Sequence, residues 1–140
     1  MRHARWLSVS FFAIFLVCGA ARADQLKFTA NLAPGPGITS SGKGAATASL
    51  DTATKTLTWT VEYSGLSGPA TAAHIHGPAD PGADAGVVVP FTGNLASPIK
   101  GSATLTDPQI AQLEAGKWYV NIHTAANKGG EIRGQLVHAS

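Results

Sequence analysis

The chain has 140 residues and a formal net charge of +2, from ten basic and eight acidic side chains. Three of the basic residues, Arg2, Arg5 and Arg22, lie in an amino-terminal segment that has the features of a signal peptide. Residues 24–140 therefore carry a net charge of −1, which gives no general support for binding nucleic acid or another polyanion. The single cysteine, Cys18, lies in the same segment, and this excludes disulfides and thiolate metal sites from residues 24–140.

The first 23 residues predict a secretory signal peptide. Basic residues precede the apolar run FFAIFLVCGAA at residues 11–21, and Ala-Arg-Ala at residues 21–23 is an A-x-A cleavage site. The run is shorter than the ~20 apolar residues that a membrane-spanning helix needs. We therefore expect residues 1–23 to be removed, residues 24–140 to form one domain without a membrane span, and the protein to be periplasmic or extracellular.

Six antiparallel strands are predicted between residues 25 and 106. In Thr56–Leu66, for example, apolar and polar side chains alternate, as in a strand that is buried on one face. Turn-forming residues separate the segments. The predicted strands are Gln25–Leu32, Lys43–Leu50, Thr56–Leu66, Ala70–Gly77, Val87–Phe91 and Ser97–Thr106.

One short helix and two further strands complete the predicted fold. The helix in TDPQIAQLEAGK is capped by Thr106 or Asp107 and ends at Gly116. The strands Lys117–Thr124 and Glu131–Val137 follow it. The pattern predicts an all-β fold, an antiparallel, Greek-key-like β-sandwich of about seven to eight strands with one short helix.

The last two strands predict a hairpin whose polar face carries His123. Pairing His123 with Glu131 places Asn121 opposite Arg133 and keeps the apolar residues of both strands together. In this register Glu131 can accept the second ring N–H of His123, and Asn121 flanks the same ring. His138 has the parity of the apolar residues and lies close to the chain end, so we expect it to take no part in a site.

Two further histidines, His74 and His76, lie one residue apart in the predicted strand ATAAHIHG. Alternate residues of a strand point the same way, ~7 Å apart, so these two and His123 can converge as three nitrogen ligands. Neutral imidazoles suit Zn²⁺ and copper, and three protein ligands leave one position open. The alternative is that the histidines only bond backbone groups, and the sequence leaves both open.

The segments AAHIHGPA, GKWYVNIHT and GGEIRGQL, in this order, resemble the CHRD domain, a repeat named from chordin and also found as single-domain bacterial secreted proteins. The resemblance extends from about Leu26 to Leu136. It implies a β-rich extracellular domain without an established reaction.

A weaker resemblance is to copper–zinc superoxide dismutase. His74 and His76 match the His-x-His pair of its copper site, and His123 matches its later histidine. The disulfide, the zinc subsite and the catalytic arginine of that enzyme have no counterpart here.

Three functions remain open from the sequence. The favoured one is an exported module that binds one copper or zinc ion through His74, His76 and His123, with Glu131 and Asn121 around these ligands. The second is a metal-free adhesion or interaction domain with an unidentified extracytoplasmic protein partner. The third, least favoured, is a redox enzyme of the superoxide dismutase type. No catalytic residue is predicted, because the chain has no nucleophile motif and no phosphate-binding loop.

Overall fold

The structure, a computed structural model, describes Gly19 and residues 23–140, so most of the predicted signal peptide lies outside the described residues. In this part of the chain nine strands and one helix follow one another. They are β1 (Gln25–Pro34), β2 (Lys43–Asp51), β3 (Thr56–Ser64), β4 (Ala70–His76), β5 (Val87–Pro90), β6 (Ile99–Thr104), α1 (Asp107–Glu114), β7 (Tyr119–Thr124), β8 (Ile132–Gln135) and β9 (Val137–His138).

The strand pairing is antiparallel throughout the described residues. The strand order is β5-β4-β7-β8-β1-β2-β3-β6, and β9 pairs with β1 outside this path. Two groups of strands meet at β1, whose last two residues, Ala33 and Pro34, pair with β8. The predicted all-β antiparallel fold with one short helix is confirmed. The two layers are joined through β1 into one nearly closed sheet.

One apolar cluster fills the space between the two groups of strands. Alternation places the apolar side of each strand inward, so that Phe28, Val61, Ile75 and Ile122 are all almost fully buried. Phe91, just after β5, stacks on Trp59 of β3, with 4.8 Å between ring centroids. This contact ties the β5 end of the sheet to the β3–β6 end across the core.

The helix covers one end of the core. Its N-cap is Thr106, whose side chain accepts from the Gln109 amide, while the Gln109 side chain accepts from the Thr106 amide. Gly116 follows the helix with a φ of 70°, a left-handed conformation that favours glycine. No helix in the described part of the chain has the length and apolar character needed to cross a membrane.

Strand β7 differs from the other strands because all six of its residues are buried. Val120 and Ile122 face the core, as alternation predicts. The outer side chains, Tyr119, Asn121 and His123, bond instead to residues of two loops, at 77–86 and 125–131. These loops cover a polar sheet face and create the site described next.

Candidate metal centre

The three predicted histidines lie together on the outer face of the β4–β7 pair. In the strand register His74 is opposite Asn121, His76 is opposite Tyr119, and His123 is opposite Ala72. One ring nitrogen from each of the three histidines lies within 4.8 Å of the others. The convergence expected from the alternation of β4 and the parity of β7 is therefore present.

The hydrogen bonds of the rings determine which nitrogens are free. The Nδ1 atoms of His76 and His123 lie 2.9 and 2.8 Å from the carbonyl oxygens of Ala85 and Lys128. A carbonyl oxygen only accepts, so each Nδ1 carries the hydrogen and each Nε2 has its lone pair free. The Nε2 atom of His76 is buried and has no hydrogen-bond partner within the described residues.

The His74 ring completes the cluster through its Nδ1 atom, which lies 3.1 Å from Nε2 of His123. Since Nε2 of His123 accepts, Nδ1 of His74 donates in this metal-free arrangement. A metal ion bound at both atoms would require the hydrogen of His74 to move to Nε2, a change of tautomer without a change of charge. The nitrogens that could bind one ion together are thus His74 Nδ1, His76 Nε2 and His123 Nε2.

The surroundings of His74 and His76 favour neutral imidazoles. Burial lowers the pKa of His74 below its usual value, and the neighbouring His123 and His76 lower it further. Burial also lowers the pKa of His76, and this outweighs the opposing effect of the hydrogen bond to Ala85. A ring that stays unprotonated keeps the lone pair that a metal ion needs.

An aromatic and cationic stack supports His76. The Tyr119 ring lies parallel to the His76 ring, with centroids 5.0 Å apart, and the Arg133 guanidinium lies 3.8 Å from the Tyr119 centroid. The Tyr119 hydroxyl accepts from the Ala85 amide at 3.0 Å. Arg133 donates to the Ala83 carbonyl and the Asp84 carboxylate, so the stack and the loop hold each other in place.

The residue after His76 must be glycine because of close packing. A Cβ at Gly77 would lie 2.3 Å from the indole of Trp118, which is fully buried. The indole Nε1 donates to the Gln112 side chain of the helix. The His-Gly dipeptide therefore lets the chain turn away from β4 directly against the core, which places the following loop over the histidines.

The predicted role of Glu131 is wrong. The hairpin register is confirmed for the Asn121–Arg133 pair, but the Glu131 amide bonds the Ile122 carbonyl, one residue out of that register. The carboxylate is fully buried and accepts from the Ser40 hydroxyl and from the amide and hydroxyl of Ser67. The Lys128 carbonyl, and not Glu131, accepts the second ring N–H of His123.

The Glu131 carboxylate instead joins three segments of the fold. Burial raises its pKa, but the hydrogen bonds that it accepts, with that from the Ser40 hydroxyl the largest, outweigh this and hold the pKa below its usual value. Ser40 lies in the loop after β1, and Ser67 in the loop after β3. An ionised carboxylate with these donors fastens both loops to the β7–β8 hairpin.

Asn121 lies beside the cluster, as expected from its parity. Its Nδ2 donates to the Gly129 carbonyl at 3.1 Å, which fixes the turn that also presents the Lys128 carbonyl. Its buried Oδ1 has no partner within the described residues. Gly130 packs directly against this side-chain amide. A Cβ at Gly130, whose φ is 119°, would lie 2.1 Å from Oδ1 of Asn121.

His138 lies outside the cluster, as expected. Its ring packs against Phe28, with 4.6 Å between centroids, on the opposite group of strands. The sequence reading missed Tyr119 and the two carbonyl groups as supports of the site. The parity of Tyr119 with His123 was visible in the sequence, but backbone carbonyls carry no sequence signal, because every residue has one.

The CHRD domain family model matches residues 28–136. The chain therefore belongs to the CHRD domain family, and the resemblance seen in its three motifs is confirmed. Comparison with curated proteins finds no match, and comparison with solved structures finds none either.

Proposed function

We propose that this CHRD protein is an exported metal-binding module that holds one copper or zinc ion on His74, His76 and His123. The observation that carries the proposal is the convergence of three ring nitrogens within 4.8 Å of one another. The partnerless Nε2 of His76 supports it, since a buried polar atom without a partner costs free energy unless something binds it.

The distances need only a small adjustment to accept an ion. Ligand nitrogens bond Zn²⁺ at ~2.0–2.1 Å, so two of them on one ion lie at most about 4.2 Å apart. The widest separation in the cluster, 4.8 Å, must therefore shorten slightly. The 3.1 Å between the His74 and His123 nitrogens already fits.

The surroundings of the ligands resemble those of established metal histidines. The second nitrogen of a metal-bound histidine commonly donates to a carbonyl or carboxylate, which fixes its tautomer. Ala85 and Lys128 supply such carbonyls to His76 and His123. Three protein nitrogens leave a coordination position open, which suits uptake and release of the ion in sequestration or delivery.

A metal-free interaction domain is the competing function. Structural histidines would explain the two carbonyl hydrogen bonds equally well. They would not explain why Nε2 of His76 is buried without a partner in the described part of the chain.

Calorimetric titration of residues 24–140 with Cu²⁺ and Zn²⁺ tests the proposal, with the triple variant His74→Ala/His76→Ala/His123→Ala as the matched control. We expect one ion per wild-type chain and loss of that binding in the triple variant. Affinity should fall between about pH 7.5 and about pH 5.5, because protons compete for the imidazoles. Nitrogen hyperfine splitting in the Cu²⁺ spectrum checks the ligand type. Equal binding by both proteins would refute the metal function and leave the interaction domain.

Export is tested separately by expressing the full chain with its first 23 residues. We expect the protein in the periplasmic or extracellular fraction with Asp24 as its first residue, by mass spectrometry. An uncleaved cytoplasmic product would contradict the signal peptide.

A further inference from the structure

A second surface of the molecule carries a regular array of polar side chains. None of them belongs to the candidate metal centre. This surface is the outer face of β1, β2, β3 and β6. The strand registers align its outward side chains into two rows that run across the strands. The first row is Lys27, Ser49, Thr58 and Ser102, and the second is Thr29, Thr47, Thr60 and Lys100.

These eight side chains line a depression of about 730 Å³, within the ~300–1,000 Å³ typical of ligand sites. The residues between the two rows, Phe28, Ala48, Trp59 and Gly101, also line it, as does Ala139 after β9. We call this surface the hydroxyl trough. It is lined by six hydroxyl groups and two ammonium groups, with no carboxylate among its lining residues.

The charges of the trough are available to a ligand. The ion pairs of the described residues are formed by Lys55, Lys117 and Arg133, and not by Lys27 or Lys100. Two acidic residues of this face lie just outside the array, Asp51 one step beyond the first row along β2 and Glu62 one step beyond the second row along β3. Lys27 and Lys100 are therefore the only charged side chains among the residues that line the trough.

Most of the hydroxyls are free as well. Ser49 donates to the Gln25 side chain and Thr58 to the Ser49 carbonyl. The other four, Thr29, Thr47, Thr60 and Ser102, make no side-chain hydrogen bond within the described part of the chain. Each free hydroxyl can both donate and accept, which suits a ligand that itself carries many hydroxyls.

We propose that the hydroxyl trough binds an acidic oligosaccharide, a chain of sugars bearing carboxylates. Lys27 and Lys100 lie at diagonal corners of the array, on strands β1 and β6. Three strand spacings separate these strands, about 14 Å, so the lysines can pair with two carboxylates of one extended chain whose hydroxyls meet the rows between them. The two aromatic residues that line the trough, Phe28 and Trp59, are buried, so neither presents an exposed ring on which nucleic acid bases could stack.

Binding of the wild-type protein to polygalacturonate tests the proposal, with uncharged dextran as the control polymer. We expect binding to polygalacturonate that weakens as salt is raised, and no binding to dextran. The variant Lys27→Gln/Lys100→Gln should lose about tenfold in affinity, because it removes both exposed ammonium groups that pair with the carboxylates. Lys128→Gln makes the same type of charge change outside the trough and should bind as the wild type does.

A second variant, Thr47→Glu, places a carboxylate in the middle of the array and should also weaken binding, while circular dichroism confirms that it folds. The measurements are made in the presence of a chelator, and the triple histidine variant should bind polygalacturonate as the wild type does. This separates the trough from the metal function. Absence of binding at low salt would overturn the proposal. So would equal losses in the double-lysine and Lys128→Gln variants.

Discussion

Two outer sheet faces of this CHRD domain differ in whether their polar side chains are buried or exposed to solvent. On β4 and β7 the polar face is covered by loops, and His76, Asn121 and His123 are no more than 9% exposed. On β1, β2, β3 and β6 the outer threonines and lysines remain open to solvent.

The difference shows where polar side chains need hydrogen-bond partners within the protein. An exposed threonine is satisfied by water, whereas a buried imidazole or amide needs a partner inside the protein. On the covered face most partners are present, as carbonyl groups of the two loops. Nε2 of His76 and Oδ1 of Asn121 are left over. These two atoms lie next to three convergent histidines, which supports the proposed metal ion. The open face has one buried atom without a partner among the described residues, Nε1 of Trp59, and no converging set of metal-binding side chains.

The largest expected effect comes from removing one ligand on the covered face. His123→Ala should weaken Cu²⁺ or Zn²⁺ binding more than the ~10–100-fold typical of losing a supporting group. Thr60→Ala, a truncation on the open face, is the matched control and should leave metal affinity and stability unchanged within ~0.5 kcal/mol. Calorimetry of both variants measures this. Similar metal affinities for the two variants would contradict the assignment of His123.

Glu131→Gln should reduce the free energy of unfolding by about 1–3 kcal/mol, because the amide replaces an ionised acceptor of several buried hydrogen bonds. Metal affinity should change by no more than about twofold, since His123 bonds Lys128 and not Glu131. Urea unfolding and metal titration of the same preparation separate the two effects. A large loss of metal affinity with unchanged stability would show that Glu131 does help to position the histidines.

Tyr119→Phe should weaken metal binding by about tenfold, the lower end for a supporting group. The substitution keeps the ring between His76 and Arg133 but removes the hydroxyl that holds the Ala85 backbone. The Ala85 carbonyl, which orients His76, is then less well fixed. Metal titration against the wild type tests this, and an unchanged affinity would show that the other contacts of the loop, including those of Arg133, hold it without the hydroxyl.

The metal-free protein should lose stability as the pH falls below about 6.5. The pKa values of His74 and His76 are lowered by folding, so the unfolded chain takes up protons first and acid favours unfolding. The contribution is complete above the unfolded pKa and is lost as the pH falls toward the folded pKa values. Urea unfolding with a chelator at about pH 7.5 and about pH 5.5 measures it. The triple histidine variant should show a smaller difference between the two pH values.

The smallest expected effect is that of His138→Ala. The ring packs on Phe28 at the exposed edge strand β9, so we expect a stability change within ~0.5 kcal/mol and no change in metal affinity. A clear loss of metal binding would show that the cluster extends beyond the three histidines.

Most of the fold could be predicted from the sequence. Each predicted strand segment overlaps an observed strand, because period-two alternation reports directly which side of a strand is buried. The last predicted strand, Glu131–Val137, is divided in the structure into β8 and β9 around Leu136. The strand order and the junction of the two groups of strands at β1 could not be predicted from the sequence, because alternation does not say which strands are neighbours.

The three histidines of the candidate site could be predicted from the sequence, but the groups that hold their rings in place could not. His74 and His76 share a face by parity, and the hairpin register placed Asn121 opposite Arg133 correctly. The same register implied that Glu131 would meet His123, but the shifted bond from the Glu131 amide to Ile122 breaks the regular ladder there. A local irregularity of this kind depends on the turn and on distant loops, which a pattern in one strand does not record.

The sequence by itself determined the class of fold, the capped helix and the three histidines that can share a face, because these follow from local periodicity and residue chemistry. Only the tertiary structure decided that β4 and β7 are neighbours, that two loops cover their polar face, and that carbonyls of Ala85 and Lys128 orient the rings. It also decided that Glu131 joins loops instead of supporting a ligand. Those outcomes depend on contacts between residues far apart in the chain, and such contacts are selected by the packing of the whole domain.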